Sequence, residues 1–109
     1  MNTLSTHVLD LALGRPASGI RVTLSRDDTI LGSELTDSDG RVREFVPTDS
    51  PLSAGNYQLT FRVADYFSKE RREFFFPEIV VQFTIGTGSQ HFHVPLLLSP
   101  FGYSTYRGS

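Results

Sequence analysis

The sequence contains no cysteine and no tryptophan, and it lacks any long apolar run. Without cysteine there is no disulfide staple, no thiol nucleophile and no thiolate metal site. Charge of one sign is also scarce. The formal net charge is −2 with both signs mixed along the chain, so nothing offers the electrostatic footprint of a nucleic-acid or anionic-membrane ligand. No stretch approaches the ~20 apolar residues of a membrane span, and the opening Met1-Asn2-Thr3-Leu4 lacks the basic start of a secretory signal. A cytoplasmic protein that binds neither nucleic acid nor membrane is expected. With 109 residues and no staple, the chain is sized for one domain spanning residues 1–109.

What is present is apolar material and aromatics: 39% hydrophobic residues, including nine Phe, enough to fill an ordinary core. These residues fall at period two. Ile20, Val22 and Leu24 alternate with Arg21, Thr23 and Ser25. Tyr57, Leu59, Phe61 and Val63 alternate with Gln58, Thr60 and Arg62, and Ile79, Val81, Phe83 and Ile85 alternate across Gln82 and Thr84. Such runs predict half-buried antiparallel strands. Turn signals separate them, at Gly14-Arg15-Pro16, Arg26-Asp27-Asp28, Asp37-Ser38-Asp39-Gly40, Asp49-Ser50-Pro51, Ala54-Gly55-Asn56, Gly86-Thr87-Gly88 and Ser99-Pro100-Phe101-Gly102. The spacing predicts roughly seven or eight strands in a β-sandwich. Alternation stops at Ala64–Arg72, where charge clusters and a short helix capped by Asp65 or Ser68 is expected. In Phe74-Phe75-Phe76, three consecutive large aromatics cannot all face one core, so at least one is expected to cover a partner or a loop.

The chain has three histidines, and two lie in Gln90-His91-Phe92-His93-Val94-Pro95. On a strand His91 and His93 share one face, with Phe92 and Val94 on the other. Taken alone, such a pair reads as a solvated face or a chance metal pair, and His7 as a structural imidazole. Arg41 follows Asp39-Gly40 and so starts a strand at a turn exit; by itself it reads as solvent-facing, and Arg71 and Arg72 as a charged helix surface. The ending Tyr103-Ser104-Thr105-Tyr106-Arg107-Gly108-Ser109 is different, because frayed termini seldom carry this much aromatic and strand-forming character. It predicts a last strand that brings the terminal carboxylate to a fixed place.

In order along the chain, Leu4-Ser5-Thr6-His7-Val8-Leu9-Asp10, Gly14-Arg15-Pro16-Ala17, Thr36-Asp37-Ser38-Asp39-Gly40-Arg41, Phe75-Phe76-Pro77-Glu78, His91-Phe92-His93-Val94-Pro95-Leu96-Leu97-Leu98-Ser99-Pro100 and the closing Tyr106-Arg107-Gly108-Ser109 resemble the 5-hydroxyisourate hydrolases of the transthyretin-like family. The tail is the specific part, since hormone-carrying transthyretins share the fold and lack that ending. Phe92 and Phe101 stand where many members have Tyr. The resemblance implies an all-β sandwich of two four-stranded antiparallel sheets with one short helix. It also implies a homotetramer, a dimer of dimers with active sites at the dimer–dimer interface.

By the same resemblance, the catalytic residues are His7, Arg41, His93 and Ser109. The substrate would be bound by His7, Arg41, Tyr106, Arg107, Gly108 and Ser109, with no metal and no cofactor, and His91 is at most a supporting residue. The implied reaction opens the six-membered ring of 5-hydroxyisourate at a carbonyl–nitrogen bond, giving 2-oxo-4-hydroxy-4-carboxy-5-ureidoimidazoline in urate degradation. Its demands are a base for water, a donor for the developing oxyanion and a proton for the leaving nitrogen. Imidazole and guanidinium suit them, with His7 and His93 open alternatives for the base. Three competing readings are a transthyretin-like carrier of a small apolar ligand, a metal site on His7, His91 and His93, and an inert sandwich module.

Overall fold

Period-two burial sorts this chain into two layers. A computed structural model describes residues 2–46 and 52–109; the turn expected at Asp49-Ser50-Pro51 lies outside the described residues. Along the chain come β1 (Thr3–Asp10), β2 (Arg15–Pro16), β3 (Arg21–Arg26), β4 (Thr29–Leu35), β5 (Arg41–Val42), β6 (Gly55–Arg62), α1 (Ala64–Lys69), β7 (Glu78–Ile85), β8 (His91–Ser99) and β9 (Gly102–Thr105). One sheet runs β2-β1-β8-β9, with β5 also paired to β1; the other runs β4-β3-β6-β7. The core between them is made by the inward positions: Val8, Val22, Leu24, Leu59, Phe61, Ile79, Leu96 and Leu98, with Phe67 of α1.

The sandwich with one short helix is the expected architecture, and four details differ, one being that the helix has no side-chain cap where Asp65 or Ser68 was expected. The first sheet has five strands rather than four, because the two residues of β5 pair with β1. β1 and β8 run parallel over eight pairs, Thr3↔His91 through Asp10↔Leu98, whereas every strand was expected to be antiparallel; alternation of faces is the same in either direction, so the pattern could not tell them apart. Arg15-Pro16, read as part of a turn, is the short strand β2 on the edge of β1. The helix is entered from Val63, with no side-chain cap, and Asp65 sits in its first turn, where its charge complements the helix dipole. Of the three phenylalanines, Phe74 and Phe76 pack against the core while Phe75 is 71% exposed.

Arg72 is not the surface charge that its neighbours suggest. Its guanidinium donates to the carboxylate of Asp10 at 2.7 and 3.3 Å, and the Tyr66 hydroxyl donates to the same carboxylate at 2.7 Å. Leu13 N–H adds a fourth hydrogen bond at 3.1 Å. The Arg72 guanidinium also lies 4.9 Å from the centre of the Phe67 ring. Asp10 is buried at the end of β1, and this pairing ties that end to the segment after α1. Burial by itself would raise the Asp10 pKa. The hydrogen bonds from Arg72, Tyr66 and Leu13, with the Arg72 charge, outweigh it and hold the carboxyl below its ordinary value, while burial and Asp10 together push Tyr66 up to about 12.

Replacing Arg72 by Met leaves a buried carboxylate without its counter-charge, and the expected cost is about 3–5 kcal/mol in urea unfolding. Arg15→Ala, which breaks an exposed pair with Glu70, is expected to cost about 1 kcal/mol or less. Because the folded Asp10 pKa is depressed, the stability that the pair contributes is present above the unfolded value of 3.8 and is lost as pH falls through the folded one. In Arg72→Met that acid-side loss is expected to shrink; an Arg72→Met midpoint equal to wild type would show the pair to be dispensable.

Candidate active site

β1 is paired on both sides, and its register decides which side chains meet. On one edge His7 lies opposite Arg41 of β5. On the other, Thr3 lies opposite His91 and Ser5 opposite His93 of β8. Directly paired residues face the same way, as do residues two apart on one strand. Thr3, Ser5, His7, Arg41, His91 and His93 therefore share the outward face of the five-stranded sheet, while Leu4, Thr6, Val8, Phe92 and Val94 fill the inward one. His7, Arg41 and His93 are half-buried and His91 is exposed.

Arg41 is held by the loop before it. The Asp37 carboxylate accepts from the backbone N–H groups of Asp39 and Arg41, both at 2.9 Å, and Gly40 N–H donates to the Asp37 carbonyl at 2.9 Å. The N–H donors, led by that of Arg41, keep the Asp37 carboxyl below its ordinary pKa. Gly40 has φ +74°, and a Cβ there would lie 2.5 Å from the Val8 carbonyl oxygen. That oxygen is part of the close approach in which Val8 N–H donates to the Gly40 carbonyl at 2.7 Å, so the turn tolerates glycine alone. Among the described residues no carboxylate pairs with the Arg41 guanidinium, which leaves its donors for a ligand.

The tail closes against His93. Gly108 N–H donates to the His93 carbonyl at 2.8 Å, forming an isolated bridge beyond β9. A Cβ on Gly108 would sit 2.6 Å from Cδ2 of the His93 ring, so the imidazole packs directly on this glycine. Ser109 follows at once and is exposed, which brings it next to that bridge. Arg107 goes elsewhere. Its guanidinium stacks 4.7 Å from the centre of the Phe92 ring and donates to the Gln90 side chain at 2.9 Å. With Tyr106 and Thr105 it lines a cavity of about 320 Å³ between the β7 and β8–β9 edges, among Val81, Phe83, Phe92 and Val94. Within one subunit, then, His7, Arg41, His93 and Gly108 come together with Ser109 adjacent, whereas the Arg107 side chain does not join them.

Two residues not singled out from the sequence belong to this cluster. Ser5 Oγ is 2.8 Å from His91 Nε2 and 2.8 Å from His93 Nδ1, and Thr3 Oγ1 is 2.6 Å from His91 Nδ1. The available signal was their even spacing from His7 on a strand. Burial of the His93 ring lowers its pKa, and the charges of Arg41, His7 and His91 lower it further, against an opposing backbone contact from Ser5. His93 is thus kept neutral at neutral pH, with a nitrogen lone pair to offer. Among the described residues no group of three or more His, Asp or Glu side chains is arranged to hold a metal ion, and no helix is long and apolar enough to cross a membrane.

With Arg41 replaced by Met, the imidazole of His93 should titrate at higher pH than in wild type, as followed by the NMR shifts of its ring protons. The sign follows from removal of a nearby positive charge. The same depressed pKa means that the unfolded chain takes up this proton first, so acidification through the ordinary value of 6.5 removes stability. A His93 midpoint unmoved by Arg41→Met would show that the two groups do not sense each other.

A family model described as "HIUase/Transthyretin family" matches residues 4–108. A 5-hydroxyisourate hydrolase of Caulobacter vibrioides is 44% identical over 117 residues, covering 100% of both chains. The solved structure of Klebsiella pneumoniae 5-hydroxyisourate hydrolase superposes with a TM-score of 0.91 at 44% identity, again over 100% of both chains. Transthyretin from Sparus aurata superposes with a TM-score of 0.89 at 26% identity, covering 97% of this chain and 96% of that one.

Proposed function

The chain belongs to the HIUase/transthyretin family, and on that footing we propose that it is a 5-hydroxyisourate hydrolase acting in urate degradation, with the outward face of its five-stranded sheet as the active site. The observation that carries this is the convergence of two imidazoles and a guanidinium that no carboxylate among the described residues pairs with, on one face, beside a tail whose Gly108 packs on the His93 ring. The full-length 44% identity to hydrolases supports it independently.

5-Hydroxyisourate is a small, oxygen-rich bicycle. Its ring opens when water attacks a carbonyl carbon bonded to a ring nitrogen. In the mechanism we infer, His93, kept neutral, takes a proton from the water as its oxygen bonds to that carbon. Arg41 donates to the carbonyl oxygen as negative charge grows there. The tetrahedral intermediate then collapses, the carbon–nitrogen bond breaks and the nitrogen leaves with a proton, which His7 or the protonated His93 supplies. The carboxylate and the freed ureido nitrogen are those of 2-oxo-4-hydroxy-4-carboxy-5-ureidoimidazoline. Ser109 completes the site by accepting from substrate N–H groups, while Tyr106 and Arg107 shape the tail, the latter through its clip on Phe92 and Gln90. No cofactor or metal is required by any of these steps.

The site lies on an open sheet face, so a single subunit gives it one wall. We propose that a second pair of subunits supplies the other, making a homotetramer of two dimers with active sites between them. The chain would act as one domain over residues 1–109. β7 and β9 each end a sheet, and pairing these edges across subunits would remove the hazard of unpaired strands. A carrier of an apolar ligand fits this face less well, since the guanidinium and imidazoles would be buried against apolar surface without partners.

The direct assay is the ultraviolet decay of 5-hydroxyisourate freshly generated from urate by urate oxidase. The intact chain is expected to exceed spontaneous decay by orders of magnitude. Arg41→Ala should remain folded and lose about 10²–10³ in kcat/KM, and a chain ending at Thr105 should lose activity comparably. Decay no faster than the spontaneous rate, from intact folded protein, would sink the proposal.

A further inference from the structure

Four side chains on the outward face form an unbroken hydrogen-bonded row: Thr3 Oγ1, His91 Nδ1 and Nε2, Ser5 Oγ and His93 Nδ1, with contacts of 2.6, 2.8 and 2.8 Å. The parallel register makes the row, because it sets Thr3 against His91 and Ser5 against His93. It begins at the half-buried His93 ring and ends at the exposed His91 and Thr3.

Simple counting limits what this row can do. A hydroxyl has one proton to give, and a neutral imidazole has one N–H and one bare nitrogen. With both rings neutral, only two arrangements satisfy every contact and also pass a proton along the whole row; in the third, Ser5 accepts from His91 Nε2–H and His93 Nδ1–H together and the row is interrupted. In the outward one, His93 Nδ1–H donates to Ser5, Ser5 donates to His91 Nε2, and His91 Nδ1–H donates to Thr3. His93 Nε2 is then bare and can act as a base. In the inward one each donor is reversed: Thr3 donates to His91 Nδ1, His91 Nε2–H donates to Ser5, and Ser5 donates to His93 Nδ1. His93 Nε2 then carries the proton and can act as an acid.

We propose that Ser5 is a positioning residue for His93, and that Thr3, His91 and Ser5 form a relay which sets the tautomer of His93 and exchanges its proton with solvent. This deepens the function proposed above and rests on it for the reaction served. The proton balance closes. When His93 Nε2 takes a proton from water, its Nδ1 proton passes to Ser5 Oγ as the Ser5 proton passes to His91 Nε2. His91 is then doubly protonated and sheds its Nδ1 proton to bulk water beside Thr3, leaving the row in the inward arrangement. His93 now presents Nε2–H to the departing nitrogen, and as it gives up that proton His91 Nδ1 takes one back from bulk water and each donor reverses, so that the row reverts. The charged or titratable groups that bear on His93 are His91 on its own strand, His7 on β1 and Arg41 on β5. All disfavour a positive charge at His93, which is the reason for moving it outward to His91.

The test uses full-length protein labelled with ¹⁵N at histidine. Long-range ¹H–¹⁵N spectra report which ring nitrogen of His93 holds the proton, and activity is measured on the same samples. For the resting wild type, His93 is expected as the Nδ1–H tautomer. In Ser5→Ala it should revert toward the Nε2–H form, with kcat down about 10–100-fold, the range found when metal-bound histidines lose their orienting partner, and KM little changed. Ser5→Thr, which keeps a hydroxyl, should restore both. His91→Phe, at an exposed position, should keep the Nδ1–H tautomer in part but lower kcat most where bulk buffer is dilute, with recovery as buffer concentration rises. An unchanged His93 tautomer in Ser5→Ala, or an unchanged kcat, overturns the proposal. Loss of folding in Ser5→Ala would be visible in the same spectra, and Ser5→Thr together with His91→Phe then decide. The tautomer shift is read without substrate, so its presence in a wild type that fails to hydrolyse 5-hydroxyisourate would count against the proposed function while supporting the row.

Discussion

Everything at the proposed site depends on β1 being paired along both of its edges. β8 runs parallel to it on one side, and the two residues of β5 take the middle of the other. A strand at the edge of a sheet is free to slip, and a slip of one residue turns every side chain to the opposite face. Here a slip would carry His7 and Ser5 into the core and bring Val8 and Leu4 out. The buried row Leu4, Thr6, Val8 and Asp10 prevents this, and the polar row Thr3, Ser5, His7 is carried outward as a consequence. The chemistry is thus positioned by packing on the reverse side of the same strand.

Two anchors stop the ends of this arrangement from moving. At one end the buried Asp10 carboxylate is held by Arg72 and Tyr66, which binds β1 to the segment after the helix. At the other, Arg107 over Phe92 and the Gly108–His93 bridge lay the tail along β8. Side chains alternate along an extended tail, so with Arg107 turned toward Phe92, Gly108 falls on the histidine side. Only a residue without a side chain fits against the imidazole there, and a Cβ would displace the ring or the tail. The clip and the glycine are therefore one device. It presents the last residue, Ser109, next to the ring that is proposed to move protons.

Much of this was legible in the sequence. The strands at Ile20–Leu24, Tyr57–Val63 and Ile79–Ile85 follow from alternation, because one face of each is buried. His91 and His93 were placed on a common face by the same rule, and Arg41 at a strand start by Asp39-Gly40. The gathering of His7, Arg41 and His93 from three separate strands was not legible from spacing. It came from likeness to a known family, since register between distant strands leaves no local trace. The parallel pairing of β1 and β8 was invisible for that reason. Arg72 was misread because a charge cluster at a helix end looks solvated, whereas its partner Asp10 lies 62 residues away in the chain. Ser5 and Thr3 passed unnoticed because hydroxyls on the outward face of a strand are ordinary until a histidine is known to lie opposite. Arg107 was assigned to the substrate with the rest of its tetrapeptide; within one subunit, alternation along the tail turns its side chain to Phe92 and Gln90.

The central claim is that the polar outward face of the five-stranded sheet, and not the apolar cavity between the sheet edges, receives the ligand. A crystal structure of the protein with a stable, oxygen-rich purine analogue would test it most directly. The account predicts the analogue on the outward face, with its ring oxygens on the Arg41 guanidinium and one carbonyl carbon open to a water held by His93 or His7. An analogue found instead among Val81, Phe83, Phe92 and Tyr106, with the imidazole face empty, would contradict it and would favour a carrier built on the same fold.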